Sequence, residues 1–348
     1  MGYLVMIILT FVVLLLIMQI IFFEVARNRE KKADNIDWFS AIDRPFQYNR
    51  VGYMIFICLI CYVISSPEDM FTLNWFIYFV LFVAMGIVAD AIVQYLVLVY
   101  SKIRCRKEIQ EAKLLENELL EISQTMHEDY SWKESEKQYE PYDILHRYIQ
   151  PTDHIAFMSV DEGEFAKNYT PLPEATFILE PYGDSRKVEE KFADNESVKV
   201  TQLTEVGQLP FKDDRLDALV CEKSNYDKVD VKRILKDGGY FIVHQNGTAN
   251  LKEFLKIYMP FAMRGSWDAY QCAQTLEEVG FKIREKFEDY GSIRFYNLQS
   301  LHQYFMKVSP DLADMNRYKS FYLKALRDMK KYSFFEMTTH TFMVVAQK

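Results

Sequence analysis

The sequence lacks a surplus of positive charge: 41 Lys and Arg stand against 49 Asp and Glu, for a net charge of -8. That balance excludes a general nucleic-acid binder, which needs a basic surface to displace counterions from phosphate. Cysteine is sparse, with five in 348 residues, and the spacing forms no secreted disulfide framework. Cys105, Cys221 and Cys272 are scattered, as in a chain kept in reducing cytosol. Cys58 and Cys61 have redox or metal spacing, but they sit in a hydrophobic run and no second ligand pair accompanies them. Packed or lipid-facing thiols are therefore the default reading. There is no P-loop, no Cys/His set at zinc spacing, no Gly-x-Ser-x-Gly elbow and no kinase signature. Those absences remove the commonest phosphate, zinc and serine-hydrolase chemistries.

What is present divides at about residue 100. The first part is dominated by Ile, Val, Leu, Phe and Met, and three hydrophobic runs stand out: Tyr3 to Phe23, Val51 to Ser66 and Trp75 to Tyr100. A run of about 20 apolar residues crosses the hydrocarbon core of a bilayer as a helix. The first run ends in Phe22-Phe23-Glu24 rather than a small-x-small cleavage site, which argues for a retained anchor over a signal peptide. The connection after the first run carries Arg27, Arg29, Lys31, Lys32, Arg44 and Arg50, and the third is followed by Lys102, Arg104, Arg106 and Lys107. The connection between the second and third has Glu68 and Asp69 but no Lys or Arg. The positive-inside rule then predicts an outside N-terminus and a cytoplasmic C-terminal part at the cell membrane. The bilayer is thus an expected partner, with other membrane or cytoplasmic proteins beside it.

Asp90 lies deep in the third run and shares a helix face with Gly86 and Gln94 at i, i+4 spacing. A carboxylate facing lipid is costly, so that face is expected to meet something polar. Two readings stay open: a protonated acid hydrogen-bonded within the bundle, for example to Gln19, or a partner interface. Residues 101–140 read as a linker. Ala112, Leu115, Leu119, Ile122 and Met126 repeat at 3-4-3-4 spacing, a short seam suited to packing on the same chain or on a second copy. His127 to Tyr139 is polar and reads as a flexible or extended hinge.

Residues 141–348 alternate strand-like and helical patterns, which predicts a largely parallel α/β sheet. Strands are expected at Ile155–Ser159, Ala175–Glu180, Val198–Thr201, Ala218–Glu222, Tyr240–Gln245, Phe281–Phe287 and Phe342–Ala346. Helices are expected at Glu162–Tyr169, Arg186–Phe192, Lys228–Lys236, Leu251–Tyr258 and Tyr270–Val279. A further helix, Asn316–Tyr332, carries Lys and Arg on one side and reads as a solvated or membrane-touching face. Gly238-Gly239 reads as a helix stop before a buried strand.

Within this part, Leu209-Pro210-Phe211-Lys212-Asp213-Asp214-Arg215-Leu216-Asp217-Ala218-Leu219-Val220 resembles the entry into the fourth strand of class I S-adenosylmethionine-dependent methyltransferases. Arg233-Ile234-Leu235-Lys236-Asp237-Gly238-Gly239 resembles that family's turn before the fifth strand, with Asp237 in place of the usual Pro. The resemblance implies a Rossmann-like domain with a mostly parallel sheet and a final antiparallel strand. It implies S-adenosylmethionine as cofactor if the protein is active.

The cofactor turn of that family is glycine-rich, because backbone must approach the ligand without a Cβ in the way. Here it aligns with Phe157-Met158-Ser159-Val160-Asp161-Glu162-Gly163. Phe157 stands where the family has an acid, Ser159, Asp161 and Glu162 stand at glycine positions, and only Gly163 remains. A like-charge contact near 4 Å at an effective dielectric of 20 costs about 4 kcal/mol, roughly a thousandfold in affinity. Asp161 and Glu162 would thus oppose the cofactor's carboxylate, unless they pair its ammonium instead. Glu180, at the end of the second strand, aligns with the acid that holds the ribose, or is simply a strand-end acid. The degenerate cofactor set is Gly163, Glu180 and Asp161. Cys221 and His244 end strands near the expected cleft, where packing and structural roles are the commoner ones for such residues. The whole reads as a membrane-anchored binding or scaffold module that has lost catalysis, with an envelope or cell-division assembly as a fitting setting. The alternative is an active methyltransferase acting on a membrane-associated substrate.

Overall fold

The structure, a computed structural model, describes residues 2–33, 36–42, 73–124, 131–203, 208–259 and 265–348. Val51 to Ser66 with Cys58 and Cys61, the seam residue Met126, and the linker up to Tyr130 fall outside the described residues. In chain order the helices are α1 (Gly2–Ala33), α2 (Ile36–Ser40), α3 (Leu73–Arg104), α4 (Arg106–Gln124), α5 (Pro141–Tyr148), α6 (Glu164–Asn168) and α7 (Ser185–Lys191). They continue with α8 (Lys228–Ile234), α9 (Lys252–Tyr258), α10 (Ala269–Glu278), α11 (Leu298–Val308) and α12 (Lys319–Tyr332). The strands are β1 (Trp132–Glu134), β2 (His154–Ser159), β3 (Ala175–Glu180), β4 (Val198–Gln202), β5 (Leu216–Glu222), β6 (Leu235–Asn246), β7 (Lys282–Phe295) and β8 (Phe335–Gln347). The chain forms two compact units, one of Met1–Tyr130 with Tyr296–Phe335, the other of Ser131–Phe295 with Glu336–Lys348.

The first unit is helical. The seam residues Ala112, Leu115 and Leu119 of α4 are buried, and α4 packs on α2 and α12 of the same chain. α12 buries Phe321, Tyr322, Leu323, Ala325, Leu326 and Met329. Lys330 and Lys331 on its basic side are exposed. Inclusion of 296–335 among the N-terminal helices is a grouping that the sequence reading did not foresee. Arg27, 7% exposed, donates from Nη2 to Glu108 Oε1 at 2.7 Å, and Tyr100 donates to Glu24 at 2.7 Å. These links tie the end of α1 to α3 and α4.

Among the described residues no helix is long and apolar enough to cross a membrane. The first and third hydrophobic runs lie within α1 and α3, each 32 residues long, but many of their side chains are outside the described set.

The second unit holds one eight-stranded sheet in the order β1-β7-β8-β6-β5-β2-β3-β4. β2, β3, β4, β5 and β6 pair in parallel, and β8 pairs antiparallel with β6. Side chains alternate between faces along a strand, so each central strand feeds two cores. Ala156, Met158, Leu219, Cys221 and Phe241 pack with Val231, Ile234, Cys272 and Leu276 of α8 and α10. Ile155, Phe157, Ala218, Val220 and Ile242 pack with Ile144, Leu145, Ala166 and Val188 of α5, α6 and α7. The near-continuous apolar runs are what a parallel sheet covered on both faces demands.

The start of β6, where its register against β5 shifts, requires glycine. Gly238 has φ +82°, and a Cβ on Gly239 would stand 2.9 Å from the Lys236 carbonyl oxygen and 3.0 Å from that of Asp217. α8 therefore stops at Ile234, and Lys236, expected to be helical, enters the strand and donates to both Asp217 oxygens at 2.7 Å. The segment expected to be a hinge holds a strand, since β1 pairs antiparallel with β7 through Trp132, Lys133 and Glu134.

Candidate functional site

The sheet reverses its winding between β2 and β5: β3 and β4 lie on one side of β2, and β5 and β6 on the other. In open α/β sheets ligands bind beyond the carboxyl ends of the strands at such a switch point. Register places Ser159, Glu222 and His244 side by side there, as the last residues of β2 and β5 and the tenth of β6.

The turn after β2 keeps its left-handed geometry, with φ +53° at Glu162 and +78° at Gly163. Glu162 accepts a conformation that costs an L residue about 1 kcal/mol, and its carboxylate is 2.8 Å from Lys187 Nζ. Gly163 is required by packing, since a Cβ there would be 3.0 Å from Val188 Cγ1 and 3.2 Å from Phe192. Both oxygens of Asp161 are engaged: Oδ1 accepts from Ser159 Oγ at 2.7 Å and Oδ2 from the Phe165 amide at 2.9 Å. Phe157 is buried against Tyr169.

Glu180 ends β3 and is 2% exposed. Its Oε1 accepts from the amides of Tyr182 at 3.0 Å and Gly183 at 2.6 Å. The Glu180 carboxylate thus closes its own loop through Oε1. Of the acids that the resemblance assigns to S-adenosylmethionine, Glu180 is buried and Asp161 half-buried, and both accept hydrogen bonds from their own segments of chain.

A different pair is the most unusual chemistry of the cleft. Glu222 is 3% exposed and His244 8%, with Glu222 Oε1 4.0 Å from His244 Nδ1. Lys223 Nζ is 2.8 Å from Glu222 Oε1, but Glu222 Oε2 and His244 Nδ1 are buried without a hydrogen-bond partner. Burial raises the Glu222 pKa, opposed by Lys223 and reinforced by the charge of Asp161. Burial pushes the His244 pKa down to about 3, helped by the positive charges of Lys223 and Lys137, so the ring is neutral at physiological pH. Phe165 and Tyr139 pack on it with ring centroids 5.8 Å and 6.2 Å away. The sequence reading placed His244 near the cleft but passed over Glu222. The signal that finds both is the shared register of strand ends.

A depressed histidine pKa has a testable consequence. Between pH 6.5 and about 3 the unfolded chain binds a proton at His244 that the folded chain does not, so stability falls as pH drops through that window. The unfolding constant should rise by up to about tenfold per pH unit there. His244→Gln should flatten that part of the profile in pH-dependent denaturation, and an unchanged slope would refute a buried neutral ring.

The other predicted positions are elsewhere. In α3, Gln94 Nε2 donates to Asp90 Oδ2 at 2.7 Å, so the pair meets within one helix, and the surroundings of Gly86 are not described. Cys221 is fully buried, donates to the Ser224 carbonyl oxygen at 3.3 Å, and burial raises its thiol pKa. That is a packing thiol. On the other side of the β5 end, Ser224, Asn225, Tyr226, Gln245 and Trp267 line a cavity of about 590 Å³.

No protein family and no curated protein matches the sequence. Solved structures are similar at low identity. A candidate methyltransferase from Bacillus halodurans C-125 shares 14% identity over 60% of this chain and 98% of its own, with a TM-score of 0.45. The [4+2]-cyclase SpnF shares 14% over 67% and 93%, with a TM-score of 0.40. A SAM-dependent methyltransferase from Aquifex aeolicus shares 12% over 60% and 89%, with a TM-score of 0.35. The strand order speaks more directly. Counted from β2, the five parallel strands run 3-2-1-4-5, as in a doubly wound nucleotide-binding sheet, and β8 supplies the antiparallel strand that the resemblance implies. The domain has a Rossmann-like α/β fold, a mostly parallel sheet with β8 antiparallel beside β6. Such a fold hosts many activities, so function rests on the site.

Proposed function

We propose that this chain is a membrane-anchored binding or scaffold module on the cytoplasmic face, built on a methyltransferase-type fold that does not use S-adenosylmethionine. The observation that carries the proposal is Glu180: the ribose-holding acid of the resemblance is buried and spends Oε1 on two amides of its own loop. Asp161, committed to Ser159 and Phe165, supports it. Anchoring is supported by the uncharged run Tyr3 to Phe23 inside a helix of 32 residues.

A second reading, an active methyltransferase with a membrane-associated substrate, is favoured by one observation: the left-handed turn at Glu162 and Gly163 survives. Thermal unfolding of the full chain in non-ionic detergent separates the two. A ligand present at a hundred times its Kd stabilises by about 2.7 kcal/mol, which moves a domain of this size by several degrees. Millimolar S-adenosylmethionine should leave the melting temperature unchanged, and a shift of several degrees would favour the enzyme. Anchoring is checked by alkaline carbonate extraction, where the chain should stay with the membrane pellet and release would contradict a spanning helix.

A further inference from the structure

The Glu222–His244 pair is left unexplained by a cleft that merely lost its cofactor. Removing a carboxylate from water costs several kcal/mol unless its charge is met, and a buried polar atom without a partner costs about 1–3 kcal/mol. Here two such atoms, Glu222 Oε2 and His244 Nδ1, lie on adjacent strands at the switch point. Lys223 meets Oε1, and both oxygens of Asp161 take neutral donors, Ser159 Oγ and the Phe165 amide. The outstanding need is for positive charge and for more than one hydrogen-bond donor.

We infer that the switch-point cleft takes a small organic cation bearing a primary ammonium group, held by Glu222 Oε2 and His244 Nδ1, with Asp161 adding charge. The inference rests on the reading that the cleft does not serve S-adenosylmethionine. An ammonium has three donors and meets two acceptors at once, whereas a neutral hydroxyl has one. Neutral imidazole, with its proton on Nε2, presents Nδ1 as an acceptor. Phe165 and Tyr139 pack on the His244 ring and hold it beside Glu222. Beside the buried pair, Asp161 is half-buried and Lys223 exposed.

The test is calorimetric titration of the full chain in non-ionic detergent with n-butylammonium, tetramethylammonium and n-butanol. Butylammonium should bind saturably. Tetramethylammonium, which has no N–H, and butanol, which has no charge, should each bind at least about tenfold more weakly, the loss of one charge-assisted hydrogen bond. Glu222→Gln, which keeps shape, should weaken butylammonium by at least about tenfold with an unchanged circular dichroism spectrum. No saturable butylammonium binding, equal binding of the three probes, or an unaffected folded Glu222→Gln overturns the inference. The three-probe comparison on the wild-type chain stands even if the variant fails to fold. A melting shift with S-adenosylmethionine would instead overturn the underlying reading, so the two failures are distinguishable.

Discussion

Glu180→Ala will destabilise the sheet-containing unit by about 3 kcal/mol, the loss of two charge-assisted hydrogen bonds at a buried position. Its Oε1 accepts from both the Tyr182 and the Gly183 amide, and the side chain is buried at 2% exposure. Glu180→Gln keeps an oxygen in place and should cost about 1 kcal/mol, the difference between charged and neutral acceptors. Urea denaturation of the full chain in detergent, followed by circular dichroism, reads both. The experiment also discriminates between roles. An acid held free for a ribose would leave the ligand-free chain within about 0.5 kcal/mol of wild type when removed. An acid that closes its own loop will not.

Gly247→Ala should be more damaging still, at about 4 kcal/mol. The His340 ring lies against Gly247 with no room for a Cβ. That ring is 2% exposed, bonded through Nε2 to Glu288 at 2.8 Å and stacked on Tyr290 at 4.0 Å. Its Nδ1 accepts from the Ala249 amide at 3.2 Å, so it cannot swing aside without abandoning every one of these contacts. The double variant Gly247→Ala/His340→Ala supplies the control. If the clash is the cause, adding the glycine substitution to His340→Ala costs little more, a strong non-additivity between contacting residues. Additive losses would place the effect in the backbone of Gly247 itself.

The central sheet was legible because its strands are buried on both faces and therefore read as short apolar runs. Ala175–Glu180 and the cores of β2, β5, β6 and β8 are such runs. The second half of β7 was not legible. Glu288-Asp289-Tyr290-Gly291-Ser292 has the composition of a loop, and its strand conformation depends on β8 and on β1 alongside it. Short helices such as α5 escaped for a related reason, since their burial comes from the sheet they cover rather than from a repeat long enough to see. At the site, the missing glycines did not decide the backbone of the turn, because a side chain can hold a left-handed φ, as Glu162 does. Glu222 gave no sign by itself. Its significance comes from its neighbours in register, Ser159 and His244, and register is a property of the folded sheet.

The account turns on whether the switch-point cleft binds S-adenosylmethionine. Isothermal calorimetry of the full-length chain in non-ionic detergent, titrated with S-adenosylmethionine and S-adenosylhomocysteine, measures that directly. Glu180 and Asp161, each bonded within its own segment of chain, predict no saturable heat with either compound up to millimolar concentration, from a chain whose circular dichroism shows it folded. Saturable binding at micromolar concentration would contradict the account and return the protein to the working methyltransferases.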